Sequence, residues 1–136
     1  MTDFFECMVQ YLLQNDSLKE TVNERIYPHI LPQQPVLPSI VYTPITARYD
    51  NALQKHTGFV RQIVQFSIHH TSFGKARKVG RILKAVLQDF KGNMNGLNIQ
   101  ATHLINDLSS AGNTMTNYKI EEYVNILEFE FNYMEE

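Results

Sequence analysis

The chain has one cysteine, Cys7, and no tryptophan. A lone thiol excludes an intrachain disulfide framework, and with it the stapled scaffold of small secreted domains. It equally excludes a multi-cysteine zinc site. No apolar run approaches the roughly 20 residues that a membrane-spanning helix needs. The first residues, Met1-Thr2-Asp3-Phe4-Phe5-Glu6, carry acids where an export signal carries lysine or arginine. The expected location is therefore the cytoplasm, and the Asn15-Asp16-Ser17 sequon is read as coincidence. Strong charge of either sign is also missing: 12 basic against 14 acidic residues leave a net −2. That balance argues against a surface that seeks polyanions in general.

Catalytic patterns are lacking as well. The glycines form no phosphate-cradling loop, and Gly74-Lys75 has no upstream glycine partner. No serine sits in a nucleophile elbow. Cys7 falls on an apolar helical stripe with no histidine near it in sequence, which reads as a packed thiol. His69 and His70 are adjacent on an expected strand, so they point to opposite faces and share no metal ion. His29, His56 and His103 lie on separate segments without ligand spacing. No catalytic residue, metal or cofactor is expected, and the chain is read as a non-enzyme.

What is present suits one globular domain: 136 residues, 43% hydrophobic and 19% charged. Phe5, Met8, Val9 and Leu12 repeat at helical spacing from Asp3 to Gln14, with Thr2 or Asp3 as cap. Ser17 is the expected cap of a short helix running from Leu18 to Glu24. Pro28, Pro32, Pro35 and Pro38 then make a stiff extended connector. Ser39 to Thr46 reads as a strand that Pro44 confines to an edge or a bulge, and Ala47 to Gly58 as a polar loop. Phe59 to His70 alternates, with Val60, Val64, Phe66 and Ile68 on one face. A helix capped by Thr71 or Ser72 follows, reaching to about Phe90. Leu97 to Leu108 is a weaker strand, with Leu97, Ile99, Ala101 and Ile105 in phase. Ser109 to Asn117 reads as a mobile hairpin or a surface loop, and Ile120 to Met134 as the last strand.

The expected fold is α+β in the order α-α-β-β-α-β-β. A mostly antiparallel four-stranded sheet would pack against one long helix and the N-terminal helix.

Two charge patterns point to contacts rather than chemistry. The helix after Ser72 carries Lys75, Arg77, Lys78, Arg81 and Lys84. The last strand carries Glu122, Glu128 and Glu130, with no basic residue after Lys119. Each is either a solvated face or one half of a head-to-tail joint between copies.

The segment from Arg25 to Tyr42 is the most distinctive: Arg25-Ile26-Tyr27-Pro28, then Leu31-Pro32, Leu37-Pro38 and Ile40-Val41-Tyr42. It resembles the tail completion, or tail-to-head joining, proteins of long-tailed, siphovirus-type bacteriophages. Val64-Gln65-Phe66-Ser67-Ile68 is similar to that family's central strand, Lys75 to Phe90 to its helix, and Asn125 to Phe131 to its closing strand. The family's central strand commonly ends in a large aromatic, and His69-His70 departs from that.

The resemblance implies a structural protein of the virion, assembled in the host cytoplasm. It would cap the tail tube and join it to the head connector as a hexameric ring, with DNA passing through. Its partners would be the tail tube protein, the head-connector protein and further copies of itself, with no membrane. Loops would carry the joints, at Arg48, Tyr49, Asp50 and Lys55 and at Asn113, Thr114 and Met115. Arg77, Lys78, Arg81, Glu122, Glu128 and Glu130 would meet between subunits. The other reading is a small nucleic-acid-binding module that uses the basic helix.

Overall fold

The computed structural model describes residues 3–33, 35–53, 55–112 and 122–135. The chain opens with α1 (Phe4–Leu13) and α2 (Asp16–Val22). Asp3 caps α1, its Oδ2 accepting from the Glu6 amide at 3.1 Å, as the sequence suggests. Asn15 rather than Ser17 caps α2, its Oδ1 taking the Leu18 amide at 3.1 Å, so that helix starts earlier.

Next come β1 (Ile26–Pro28), β2 (Ser39–Asn51) and β3 (His56–His70). The helix α3 (Phe73–Leu87) is capped by Ser72, and β4 (Gly92–Met94), β5 (Leu97–Gly112) and β6 (Glu122–Met134) complete the chain. The strands form one six-stranded sheet in the order β1-β2-β3-β6-β5-β4. β1 runs parallel to β2 and the other neighbours are antiparallel, so the sheet is mixed.

This corrects the expected four-stranded antiparallel sheet against one long helix. The sheet is six-stranded, mixed and curled into a half-barrel, with three short helices. Two three-residue strands make the difference. β1 lies where a proline connector was expected to begin: the Ile40 amide donates to the Arg25 carbonyl and the His29 amide to the Tyr42 carbonyl, each at 2.9 Å. β4 turns back onto β5 through Asn95-Gly96, both at positive φ (48° and 102°), the conformation that an Asn-Gly hairpin turn requires.

The expected polar loop from Ala47 to Gly58 is mostly strand. β2 and β3 run on as a long hairpin paired from Ser39↔His69 to Asn51↔His56. Pro44 does lie at a bulge, between Pro44 and Thr46. The Thr46 carbonyl is taken by the buried Gln62 side chain, whose Nε2 donates at 3.0 Å.

The helices cover one face of the sheet. Phe66, Leu127, Phe129 and Phe131 are fully buried on that face, beneath Met8, Leu12 and Leu83. Each such side chain contributes about 1.5–3 kcal/mol through removal from water. Phe4 of α1 stacks on Tyr133 with ring centroids 5.0 Å apart. Cys7 is buried as expected, its thiol donating to the Asn95 carbonyl at 3.4 Å. Burial, together with the nearby Asp3 and Glu6, pushes its pKa up, away from the reactive thiolate. The opposite face of the sheet carries no helix among the described residues.

Candidate partner-binding surfaces

The hairpin register decides where the expected joint residues go. Alternation along β2 and β3 puts Arg48 and Arg61 directly opposite each other on the open face. Both are exposed, and neither forms an ion pair among the described residues. Two like charges so placed repel. The Arg61 guanidinium lies 5.7 Å from the centre of the Phe59 ring, which shares its face.

Arg48, Tyr49 and Asp50 come together with Phe59 and Arg61 around a groove of about 430 Å3. Asp50 also accepts a hydrogen bond from the Thr57 hydroxyl at 2.9 Å, which closes the hairpin end. Lys55 is in the turn itself and does not line the groove; its carbonyl accepts from the Ala52 amide at 2.7 Å. Leu53, in the same turn, is fully exposed. A second groove continues across the open face, lined by Arg61, His103, Glu130 and Asn132 among others. Asn132 is buried, and its Oδ1 has no hydrogen-bond partner among the described residues. Asn113, Thr114 and Met115 lie outside the described residues.

The charged helix divides in two. Lys84 and Arg77 both reach Asp107 on β5, at 3.1 and 3.7 Å, and Arg77 also donates to the Ser109 hydroxyl at 3.1 Å. Asp107 further accepts from the buried Asn125 amide at 3.0 Å. Burial pushes the Asp107 carboxyl up. The hydrogen bonds from Asn125 and Lys84 and the charges of Lys84 and Arg77 outweigh this and hold it below its usual range. Arg77 thus serves a latch within the chain, whereas Lys78 and Arg81 are exposed.

On β6, Glu128 accepts from the Asn106 side chain at 3.2 Å. Glu130 faces Ile63 and His103 across its two neighbouring strands, while Glu122 begins the strand opposite Gly112. The expected basic and acidic patches therefore sit on opposite sides of the sheet: α3 lies over the core face, and Glu128 and Glu130 lie on the open one.

Sequence reasoning missed Phe59, Arg61 and Asp107. Arg61 was visible as a polar position of an alternating strand, but its pairing with Arg48 depends on a hairpin that had been read as a loop. Arg25 of the distinctive segment also has a structural task. It donates to the Pro38 carbonyl at 2.9 Å and to the Thr21 carbonyl at 3.3 Å, tying the end of α2 to the proline connector.

Among the described residues, no group of three or more His, Cys, Asp and Glu side chains could hold a metal ion. The fold has a counterpart in a solved particle. A chain of the virion of a native gene transfer agent particle superposes with a TM-score of 0.65 at 14% identity, covering 92% of this chain and 90% of that one. No curated protein sequence matches significantly. The model of the family "Tail completion protein gp17" matches residues 6–107. The chain belongs to that family, and its role is that of a structural protein in phage tail assembly.

Proposed function

We propose that the protein caps the tail tube and joins the tail to the head connector, as a hexameric ring through which DNA passes. The family match over residues 6–107 carries this reading. The register of the sheet supports the joining part. The β2–β3 turn at residues 52–55 lies at one end of the sheet, next to the Phe59↔Met134 pair. Gly112 and Glu122, which bracket the segment containing Asn113, Thr114 and Met115, lie at the other end, next to the His70↔Tyr123 pair. A joint between two bodies needs a contact at each end, and the chain offers a connection at each. Arg48, Tyr49, Asp50 and Lys55 would meet one partner, and Asn113, Thr114 and Met115 the other. The partners are the tail tube protein and the head-connector protein.

The role requires no cofactor, metal, membrane or catalysis, only assembly in the host cytoplasm. The nucleic-acid module is the weaker reading, because Arg77 and Lys84 of the basic helix are already held by Asp107. To test the cap, gold-labelled protein is incubated with isolated tails that lack it and imaged by electron microscopy. Label at one end of each tube is the expected result. Label scattered along the tube, or none, would overturn the proposal.

A further inference from the structure

Both outer regions of the sheet leave a long strand edge uncovered. β1 pairs with β2 only through Tyr42, and β4 pairs with β5 only through Ile99. The Asp89 amide takes the Thr102 carbonyl. From Thr43 to Asn51 on one side, and from His103 to Gly112 on the other, no further strand lies alongside among the described residues.

Each of these edges contains a bulge whose unpaired residue is an isoleucine. Ile45 is left over between Pro44 and Thr46, and Ile105 between Leu104 and Asn106. They are 48% and 47% exposed, and Leu108 near Ile105 is 50% exposed. A bulge interrupts the regular ladder, and Pro44 has no amide to donate, so neither edge is shaped for continuous strand addition. What both edges present is an apolar side chain. The open face adds a charge difference. Arg48 and Arg61 lie on its β2–β3 side, and Glu128 and Glu130 on β6, one strand in from the β5 edge.

We infer that a second copy of this chain docks head to tail, the Ile45 edge of one copy against the Ile105–Leu108 edge of the next. This rests on the ring reading above and names its joint. Two copies related by a two-fold axis would bring Arg48 against Arg48, or set the acidic β6 sides toward each other. The head-to-tail arrangement instead turns the Arg48 side of one copy toward the Glu128 and Glu130 side of the next, and sets apolar against apolar at the joint. Repeating one such heterologous contact around a closing rotation generates a ring.

The test is a cross-link on assembled tails. A variant carrying both Ile45→Cys and Ile105→Cys is bound to tails lacking the protein, mildly oxidised and run on a denaturing gel without reductant. The expected result is a ladder reaching the number of copies in the ring, with no cross-link from either single variant. Buried Cys7 is common to all three. Caps visible by electron microscopy without a ladder would overturn the joint and leave the ring standing, as would dimers from a single variant. Wild-type protein that never appears in several copies at the tail end would overturn both. Should the double variant fail to cap, Ile45→Asp and Ile105→Asp decide the matter. Each alone should lower tail capping at least tenfold with an unchanged circular dichroism spectrum, and unchanged capping would overturn the joint.

Discussion

A single buried amide explains a glycine. Gly80 lies in the middle of α3, where glycine costs about 1 kcal/mol relative to alanine. A Cβ there would overlap Oδ1 of Asn125, whose amide nitrogen is held by Asp107 and by the Leu108 carbonyl. Gly80→Ala should therefore destabilise by about 1–3 kcal/mol in urea unfolding, the cost of overpacking, instead of stabilising by helix propensity. Asp107 supplies a second prediction at this scale. Its folded pKa is held below the ordinary value, so its contribution is fully present above the unfolded value of about 3.9 and fades as pH falls through the folded one. Asp107→Asn should cost about 1 kcal/mol at pH 7, with the gap to wild type narrowing below pH ~4. A gap that stays constant down to pH ~2 would contradict the latch. Gln62 gives a third. It is buried and satisfies a carbonyl left over by the β2 bulge. Gln62→Leu should cost about 1–3 kcal/mol through that orphaned acceptor.

Among the elements, the β2–β3 hairpin is the one on which the proposed joint depends most. Its end holds Arg48 and Arg61 in a repelling cross-strand pair on an exposed face, an arrangement that an acidic partner surface would relieve. Arg48→Glu with Arg61→Glu should leave the unfolding midpoint nearly unchanged and reduce binding to tails or heads at least tenfold, measured by co-sedimentation. Unchanged co-sedimentation with both partners would remove these arginines from the joint. This hairpin also shows what a sequence yields and what it withholds. The alternation of Val60, Val64, Phe66 and Ile68 made β3 plain, because one buried face leaves a period-two pattern. Of Ala47 to Asn51, only Ala47 packs against the core and Arg48 to Asn51 are all exposed, so the stretch read as a loop. β1 and β4 are three residues each, too short for any periodicity. The Asn95-Gly96 turn did announce β4, since that dipeptide favours a hairpin. Ile105 looked like a core position in phase with Ile99. A first bulge between Ile99 and Ala101 shifts the phase, so that Thr102 and Leu104 turn inward, and Ile105, left unpaired in the second bulge, is exposed. Pairings between distant segments, such as Asp107 with Lys84 and Arg77, left no local trace.

At the scale of the whole molecule, the fold separates stability from contact. The aromatic core lies between the helices and one face of the sheet. Among the described residues, no helix covers the other face and no further strand lies along either long edge. In the proposed joint, the β2–β3 turn at one end of the sheet would meet one body and the segment between Gly112 and Glu122 the other. The central claim is that this chain joins them, and it is tested most directly by mixing. Purified protein is added to separated phage heads and to tails lacking it, and joined particles are counted by electron microscopy. Restored joining is the predicted result. Heads and tails that stay apart, in the presence of folded and soluble protein, would contradict it.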